Sequence, residues 1–359
     1  MMATGTAAGS LPVFDGHNDA LSRLHALHPD NPVAAFTGGY DAALDLGKAR
    51  RGGFAGGFFA MWVPPREADD DGRRAAMAEP SYDIPLPPEL DAPHAATVTL
   101  AQAGIMAALD AAGALRICRS VADIRAAMAD GRIAAIMHLE GVEAIDPGLA
   151  MLDRLHGMGL RSLGPVWSRP NIFGHGVPFR YPSSPDTGPG LTAAGKRLVS
   201  RCDELGVLID LSHINEAGFW DIARLSKAPL IATHSNVHAI CPHARNLTDD
   251  QLRAIADSDG MVGLNFATAF LRPDGRMLAD VPFEVMMRHL DHLIGILGED
   301  RVGLGSDYDG TMVPDGLTTV AELPALCAAM VRHGYDEELR HKICCDNWLA
   351  ALGRVWREG

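Results

Sequence analysis

Apolar residues along the chain gather into short continuous runs. Between the runs they recur at helical spacing. The first run is Leu11–Asp15, inside the stretch Val13-Phe14-Asp15-Gly16-His17-Asn18-Asp19. Further runs are Gly53–Val63, Ile133–Glu140, Leu160–Trp167, Val207–His213, Pro229–His234, Met261–Phe266 and Val302–Asp307. Helical patterns lie between them at 42–51, 97–112, 120–130, 147–157, 192–204, 216–226, 248–258 and 283–297, and two more close the chain at 320–333 and 336–355. Unbroken apolar runs mark strands buried on both faces, the habit of parallel sheets. Eight such strands alternating with helices predict an α/β fold, a (β/α)8 TIM-type barrel. A doubly wound open sheet is the alternative. Against it, no Gly-x-Gly-x-x-Gly follows an early strand, and polar residues end too many different strands.

Three segments break the alternation: Pro64 to about Ala95, Ser168–Gly190 and Ala267–Pro282, rich in Pro, Gly, Asp or Ser. Each follows a strand end, so in a barrel all three become long loops at the C-terminal face, where loops shape a pocket. Residues 1–10 are small and polar, without the basic start and apolar core of a signal peptide. They are expected to form a flexible tail before a single barrel domain over 11–359.

Composition adds exclusions. The net charge of −14 argues against a nucleic-acid partner, whose phosphates need a basic surface. No apolar run is long enough to span a membrane. The cysteines, 6 in all, show no zinc-ribbon spacing, and with no secretory signal they are expected to be reduced in the cytoplasm.

The chemistry lies at the strand ends. His17 and Asp19 end the first strand, Glu140 the third, His213 the fifth, His234 the sixth and Asp307 the eighth. In a barrel these ends converge on one mouth, so the set predicts a metal centre. Imidazoles and carboxylates without thiolates suit zinc, with manganese, cobalt or iron as substitutes. Five ligands are more than one open zinc site takes. Sharing a carboxylate between two divalent ions about 3.5 Å apart resolves this and holds a bridging hydroxide as nucleophile. Asp307, left over, can carry the proton. Each residue also has a plainer use. His213 and His234 sit among helix-capping residue types, His138 packs inside the barrel, His175, His238 and His243 fall in loops or the following helix, and Asp309 belongs to an Asp-Gly turn.

Together these residues resemble a known family, the renal (membrane) dipeptidases of the amidohydrolase-like barrel group. The resemblance is carried by Asp15-Gly16-His17-Asn18-Asp19, Glu140-Gly141, Asp210-Leu211-Ser212-His213, Thr233-His234-Ser235, Arg245-Asn246 with Asp249-Asp250, Gly305-Ser306-Asp307-Tyr308-Asp309-Gly310 and Asp346-Asn347. It implies one zinc on His17, Asp19 and Glu140 and a second on Glu140, His213 and His234, with Glu140 bridging. It further implies that Arg245 receives the substrate's terminal carboxylate, that Asp307 carries the proton, and that the chain is a homodimer. The implied substrates are dipeptides, often with a D-residue at the C-terminal position.

One departure stands out. Where the family carries a histidine that supports the scissile carbonyl, Leu163-Gly164-Pro165-Val166-Trp167-Ser168-Arg169 places Trp167. An indole N–H donates but neither accepts nor titrates, so that support is weakened, passes to Arg169 or a metal, or is lost. A second difference is Phe270, in place of a polar aromatic; both are expected to touch substrate. Trp167 motivates an alternative substrate, another amide such as an N-acyl amino acid or a lactam. A catalytically lapsed metal-binding protein is the alternative of another class.

Overall fold

The structure, a computed structural model, describes residues 11–67 and 69–356, so the expected tail over 1–10 lies outside the described residues. The eight barrel strands are Val13–Asn18, Phe54–Trp62, Ile133–Glu140, Leu160–Gly164, Leu208–Ile209, Ile231–Ala232, Met261–Asn265 and Val302–Gly305. All pair in parallel, in the order fifth, fourth, third, second, first, eighth, seventh, sixth. A bridge between Asp210 and Ile231 joins the fifth and sixth and closes the ring. The short strand Leu115–Ile117 adds to the outer edge of the third.

Two apolar layers follow from the alternation of side chains along each strand. The outer one packs strands against helices, with Val13, Phe59, Leu139, Leu163, Val262 and Leu264 among its members. The inner one fills the barrel with Phe14, Phe58, Ile136, Leu208, Ile231 and Met261, and Trp348 of the last helix, Asn347–Val355, reaches in among them. Trp348 is fully buried and donates its indole N–H to the Leu304 carbonyl at 2.9 Å. Gly263 and Gly303 leave the space for it. A Cβ on Gly303 would stand 2.7 Å from Trp348 Nε1, and one on Gly263 3.0 Å from its Cζ2.

The fifth and sixth strands are shorter than their apolar runs predict, and the fourth stops at Gly164 rather than Trp167. Beyond these ladders the chain stays buried but turns, and Trp167, His213 and His234 stand on the turns. Two helices go unanticipated by the periodicity, Ala20–Leu27 and Pro32–Gly38. The excursion after the second strand is also partly regular, with helix Asp70–Met77 and strand Tyr82–Ile84. That strand pairs antiparallel with Phe179–Tyr181 in the loop after the fourth strand. Tyr82 donates to the Gly275 carbonyl at 2.6 Å, Tyr181 to the Pro273 carbonyl at 2.7 Å, and the Met277 amide to the Met77 carbonyl at 2.8 Å. The three long loops thereby form one cover, with its own small core of Met77, Tyr82, Phe270 and Met277.

Candidate metal centre

The first pair of candidate ligands depends on a break in the sheet. Along the first and second strands Asp15 pairs with Gly57 and Asn18 with Phe59, so three steps on one strand match two on the other. The extra residue is a bulge, which re-aims side chains at a strand end. It brings His17 Nε2 to 3.5 Å from Asp19 Oδ2 and 3.6 Å from Glu140 Oε2. Asp19 stands at the N-cap of helix Ala20–Leu27 but makes no capping hydrogen bond, which leaves its carboxylate to the centre.

Glu140 turns its other oxygen the opposite way. Oε1 lies 3.0 Å from His213 Nε2 and 3.6 Å from His234 Nε2, and the two Nε2 atoms are 3.2 Å apart. The outer nitrogens are held from behind. His213 Nδ1 is 2.9 Å from Ser168 Oγ. Thr233 donates its hydroxyl to Asp210 at 2.6 Å, so the same oxygen accepts from His234 Nδ1 at 2.8 Å. With the proton on Nδ1, the Nε2 lone pairs point inward, the arrangement found behind metal-bound histidines. The capping alternative fails for His213, because Asn215 caps helix Glu216–Leu225.

The donor set suits metal on both sides of Glu140. His17, a fully buried imidazole, has no hydrogen-bond partner for either ring nitrogen among the described residues. Burial alone pushes its pKa down, yet the charges of Glu140, Asp19 and Asp307 hold it up at about 10. The carboxylates thus demand a positive charge at this point. Glu140 is pushed well above its ordinary range by burial and by the neighbouring Asp19 and Asp307 charges. His213 and His234 are pushed well below theirs by burial, with Arg245 and His17 adding to the effect. They are neutral donors. A cation between these groups meets both needs. Asp210 also lies near His17 and His234. Its oxygens, however, already accept from Ser212 N, Thr233 N and Thr233 Oγ1, which makes it a support for the ligands.

Asp307 faces the same space from the eighth strand's end. Burial, with the Asp19 charge beside it, raises its pKa. Asn265 donates to its Oδ2 at 2.9 Å. The backbone at Asp307 has φ 62° and at His213 φ 67°, left-handed conformations uncommon outside glycine. Behind them Asp15 accepts from the Ser306 amide and hydroxyl, at 2.7 and 2.8 Å, and so ties the first strand to the eighth.

The remaining predicted residues separate into cleft walls and supports. Trp167 and Phe270 line a cleft above the centre, together with Trp62, Phe179, Met277 and Asp307. Arg245 is buried beside it. Its Nη1 donates to Ser235 Oγ at 2.8 Å and Nη2 to the His234 carbonyl at 2.9 Å, while its Nε has no partner among the described residues. Arg169 is fully buried, donates from Nε to Glu143 at 3.0 Å and lies 5.5 Å from the Trp167 ring. It is committed to that ion pair beneath the tryptophan. His138 packs inside the barrel, 2.9 Å from Ser162 Oγ, and Asp309 accepts from the amides of Ala43 and Leu44. His243 lies behind Phe270, ring centroids 4.6 Å apart. Ser168 and Asn265 belong to no motif in the sequence. Their signal is only a polar residue just past or at a buried strand end.

The family model described as membrane dipeptidase (Peptidase family M19) matches residues 7–358. In structure the chain is similar to a metallo peptidase from Rhodobacter sphaeroides, solved with a phosphinate mimic of the dipeptide L-Ala-D-Ala. The TM-score is 0.94 and the identity 54%, over 97% of this chain and 100% of that one. In sequence it is 50% identical over 247 residues to an uncharacterized protein in the pqqA 5'region of Klebsiella pneumoniae, 69% of this chain and 91% of that protein. A protein in the PQQ-III 3'region of Acinetobacter calcoaceticus is 42% identical over 294 residues, 79% of this chain and 89% of that protein.

Proposed function

The chain belongs to the membrane dipeptidase family, peptidase family M19, and is a metal-dependent hydrolase. From that premise we propose a dipeptidase with two divalent ions, zinc, that accepts a D-residue at the C-terminal position of its substrate. The observation that carries this reading is the division of Glu140, one oxygen toward His17 and the other toward His213 and His234. His17 and Asp19 with Glu140 would hold one ion, and Glu140, His213 and His234 the other. When bound, such ions polarise a carbonyl and lower the pKa of water.

The chain's own residues do the rest. Asp307, steadied by Asn265, takes the proton of the attacking water and returns it to the leaving amine. Arg245 keeps its Nε–H unpaired beside Phe270, and takes the substrate's terminal carboxylate. Trp167 closes the cleft edge-on to Trp62, centroids 5.1 Å apart, and offers a hydrogen-bond donor in place of the family's histidine. Among the described residues no helix is long and apolar enough to cross a membrane. A cytoplasmic location belongs to the same reading, supported by six free cysteines, as does a homodimer, checked by light scattering. The functional test is hydrolysis of paired L,L and L,D dipeptides by zinc-loaded protein, with metal counted on the same sample. Near two ions per chain with turnover of L,D pairs is expected. One ion or none in the active protein would overturn the binuclear reading, and two ions with no dipeptide cleaved would overturn the substrate.

A further inference from the structure

Beyond the groups of the metal centre, the cleft is walled mostly by apolar side chains, with Thr311 the neutral polar exception and two charged ones. Arg73 and Arg74 line it from helix Asp70–Met77, the helical part of the loop after the second strand. Two adjacent cations facing the mouth are notable on a chain of net charge −14. The helix is held in place. Met77 at its end is buried in the cover, its carbonyl accepts from the Met277 amide at 2.8 Å, and Arg276 Nε donates to the Ala78 carbonyl at 2.7 Å.

Rings connect these cations to the site of the terminal carboxylate. The Arg73 guanidinium lies 5.8 Å from the Phe179 ring centre. Phe179 stacks on Phe270, centroids 6.1 Å apart and planes 15° apart, and the Arg245 guanidinium lies 5.8 Å from the Phe270 ring centre. An apolar wall therefore runs from Arg245, deep in the site, out to Arg73 at the mouth. We propose that Arg73 and Arg74 recognise a carboxylate on the side chain of the C-terminal residue, so that the preferred substrates are dipeptides ending in an acidic residue. This deepens the dipeptidase reading and rests on it. With its α-carboxylate at Arg245, that residue's side chain lies along Phe270 and Phe179 and ends between the two arginines. Arg73 is paired with Asp70 at 2.8 Å, an i,i+3 contact of the weak, exchangeable kind. Arg74 has no carboxylate partner among the described residues.

The test compares isosteres that differ only in charge. For zinc-loaded protein, kcat/KM on L-Ala-D-Glu is expected to exceed that on L-Ala-D-Gln by roughly tenfold, the scale of a charge-assisted contact. In R73M/R74M that ratio falls to about one, and in R73K/R74K, which keeps the charges, most of it survives. Equal rates on the two substrates in the unaltered protein would overturn the proposal. So would a ratio that R73M/R74M leaves intact, or an acid preference confined to the N-terminal residue, read from L-Glu-D-Ala against L-Gln-D-Ala. Calorimetric binding of the same two dipeptides separates this from the underlying reading. A protein that binds the D-Glu peptide through these arginines yet cleaves no dipeptide breaks the dipeptidase reading and leaves the recognition standing. One that cleaves dipeptides without regard to charge does the reverse.

Discussion

The metal centre and the cover above it are built in opposite ways. Every residue of the centre stands at or just past the end of a buried barrel strand, and three of them are held from behind by a second buried group: Ser168 for His213, Thr233 and Asp210 for His234, Asn265 for Asp307. The cover consists of three loops far apart in sequence, joined by one short strand pair, a few cross-loop hydrogen bonds and a small apolar cluster. Its wall residues Phe179, Arg73 and Met312 are only partly buried. The difference teaches that reaction and selection rest on separable parts. Chemistry needs sub-ångström constancy and is placed on the sheet, while discrimination is placed on segments that can change without disturbing the ladder.

The largest effect should come from the group the centre cannot replace. Glu140→Gln keeps the shape of the side chain but removes the charge that faces both halves. Activity is expected to fall by about 10^3-fold or more, with bound metal reduced on the same sample. The metal-free form should be no less stable than the parent, because burial and the Asp19 and Asp307 charges already push Glu140 toward the uncharged form that glutamine mimics. A thermal melt with chelator checks this. Lost stability in the metal-free state would mean that the carboxylate also holds the barrel together, and the separation would then be false.

A close second lies between the two regions. The buried Glu143–Arg169 pair joins the loops after the third and fourth strands, and Arg169 also donates to the Val63 carbonyl after the second. Arg169→Met leaves a buried carboxylate uncompensated and should cost about 3–5 kcal/mol. The pH dependence has a definite sign. Burial raises the Glu143 pKa above 4.5 in the folded protein even against the pull of Arg169, and removing that pull raises it further. A raised carboxyl favours folding while protonated and loses that advantage as pH climbs through its folded value. The melting deficit of Arg169→Met should therefore shrink on acidification and widen toward neutrality, and the double variant Glu143→Gln/Arg169→Met should recover much of the loss.

The same contrast governs what the sequence reveals. The barrel and the cluster of polar residues at its mouth are legible because one-dimensional signals specify them. Apolar runs mark the strands, and polar residues at their ends mark the mouth. What escapes that reading is set in three dimensions. The bulge that aims His17 leaves no trace in residue type, and the left-handed backbone of His213 and Asp307 leaves only a weak one, since His and Asp enter that region more readily than most residues. The pairing of Tyr82–Ile84 with Phe179–Tyr181 joins two stretches without periodicity. Helix Pro32–Gly38 did carry signals, proline at its first position and Gly39 just past its end, which a search for apolar repeats overlooks.

The support behind a candidate ligand gives the next effect. Thr233→Val keeps the β-branched shape but removes the hydroxyl between Asp210 and His234. Metal affinity or activity should drop about 10–100-fold, read from a metal titration followed by kcat. An unchanged titration would show that His234 is aimed by packing alone. In that case sheet placement, without the buried partner, would suffice to fix the centre.

The smallest effect tests the other half of the comparison. Tyr82→Phe deletes the 2.6 Å hydrogen bond to the Gly275 carbonyl, a link between the loops after the second and seventh strands. Gly275 has φ 66° and lies against the Tyr181 ring, so this turn is already tightly specified and loses only one tie. The change is worth about 0.5–1.5 kcal/mol, and it should appear locally rather than in the global melt, because the cover can open while the barrel stays folded. The expected signature is faster amide exchange at Met277, whose N–H bonds the Met77 carbonyl, and KM raised by roughly two- to tenfold with kcat and metal content unchanged. If kcat fell instead at constant KM, the cover would be setting the geometry of the metal centre as well as the fit of the substrate. The two regions would then be parts of one mechanical unit, and replacing Arg73 and Arg74 should also lower the rate on neutral dipeptides.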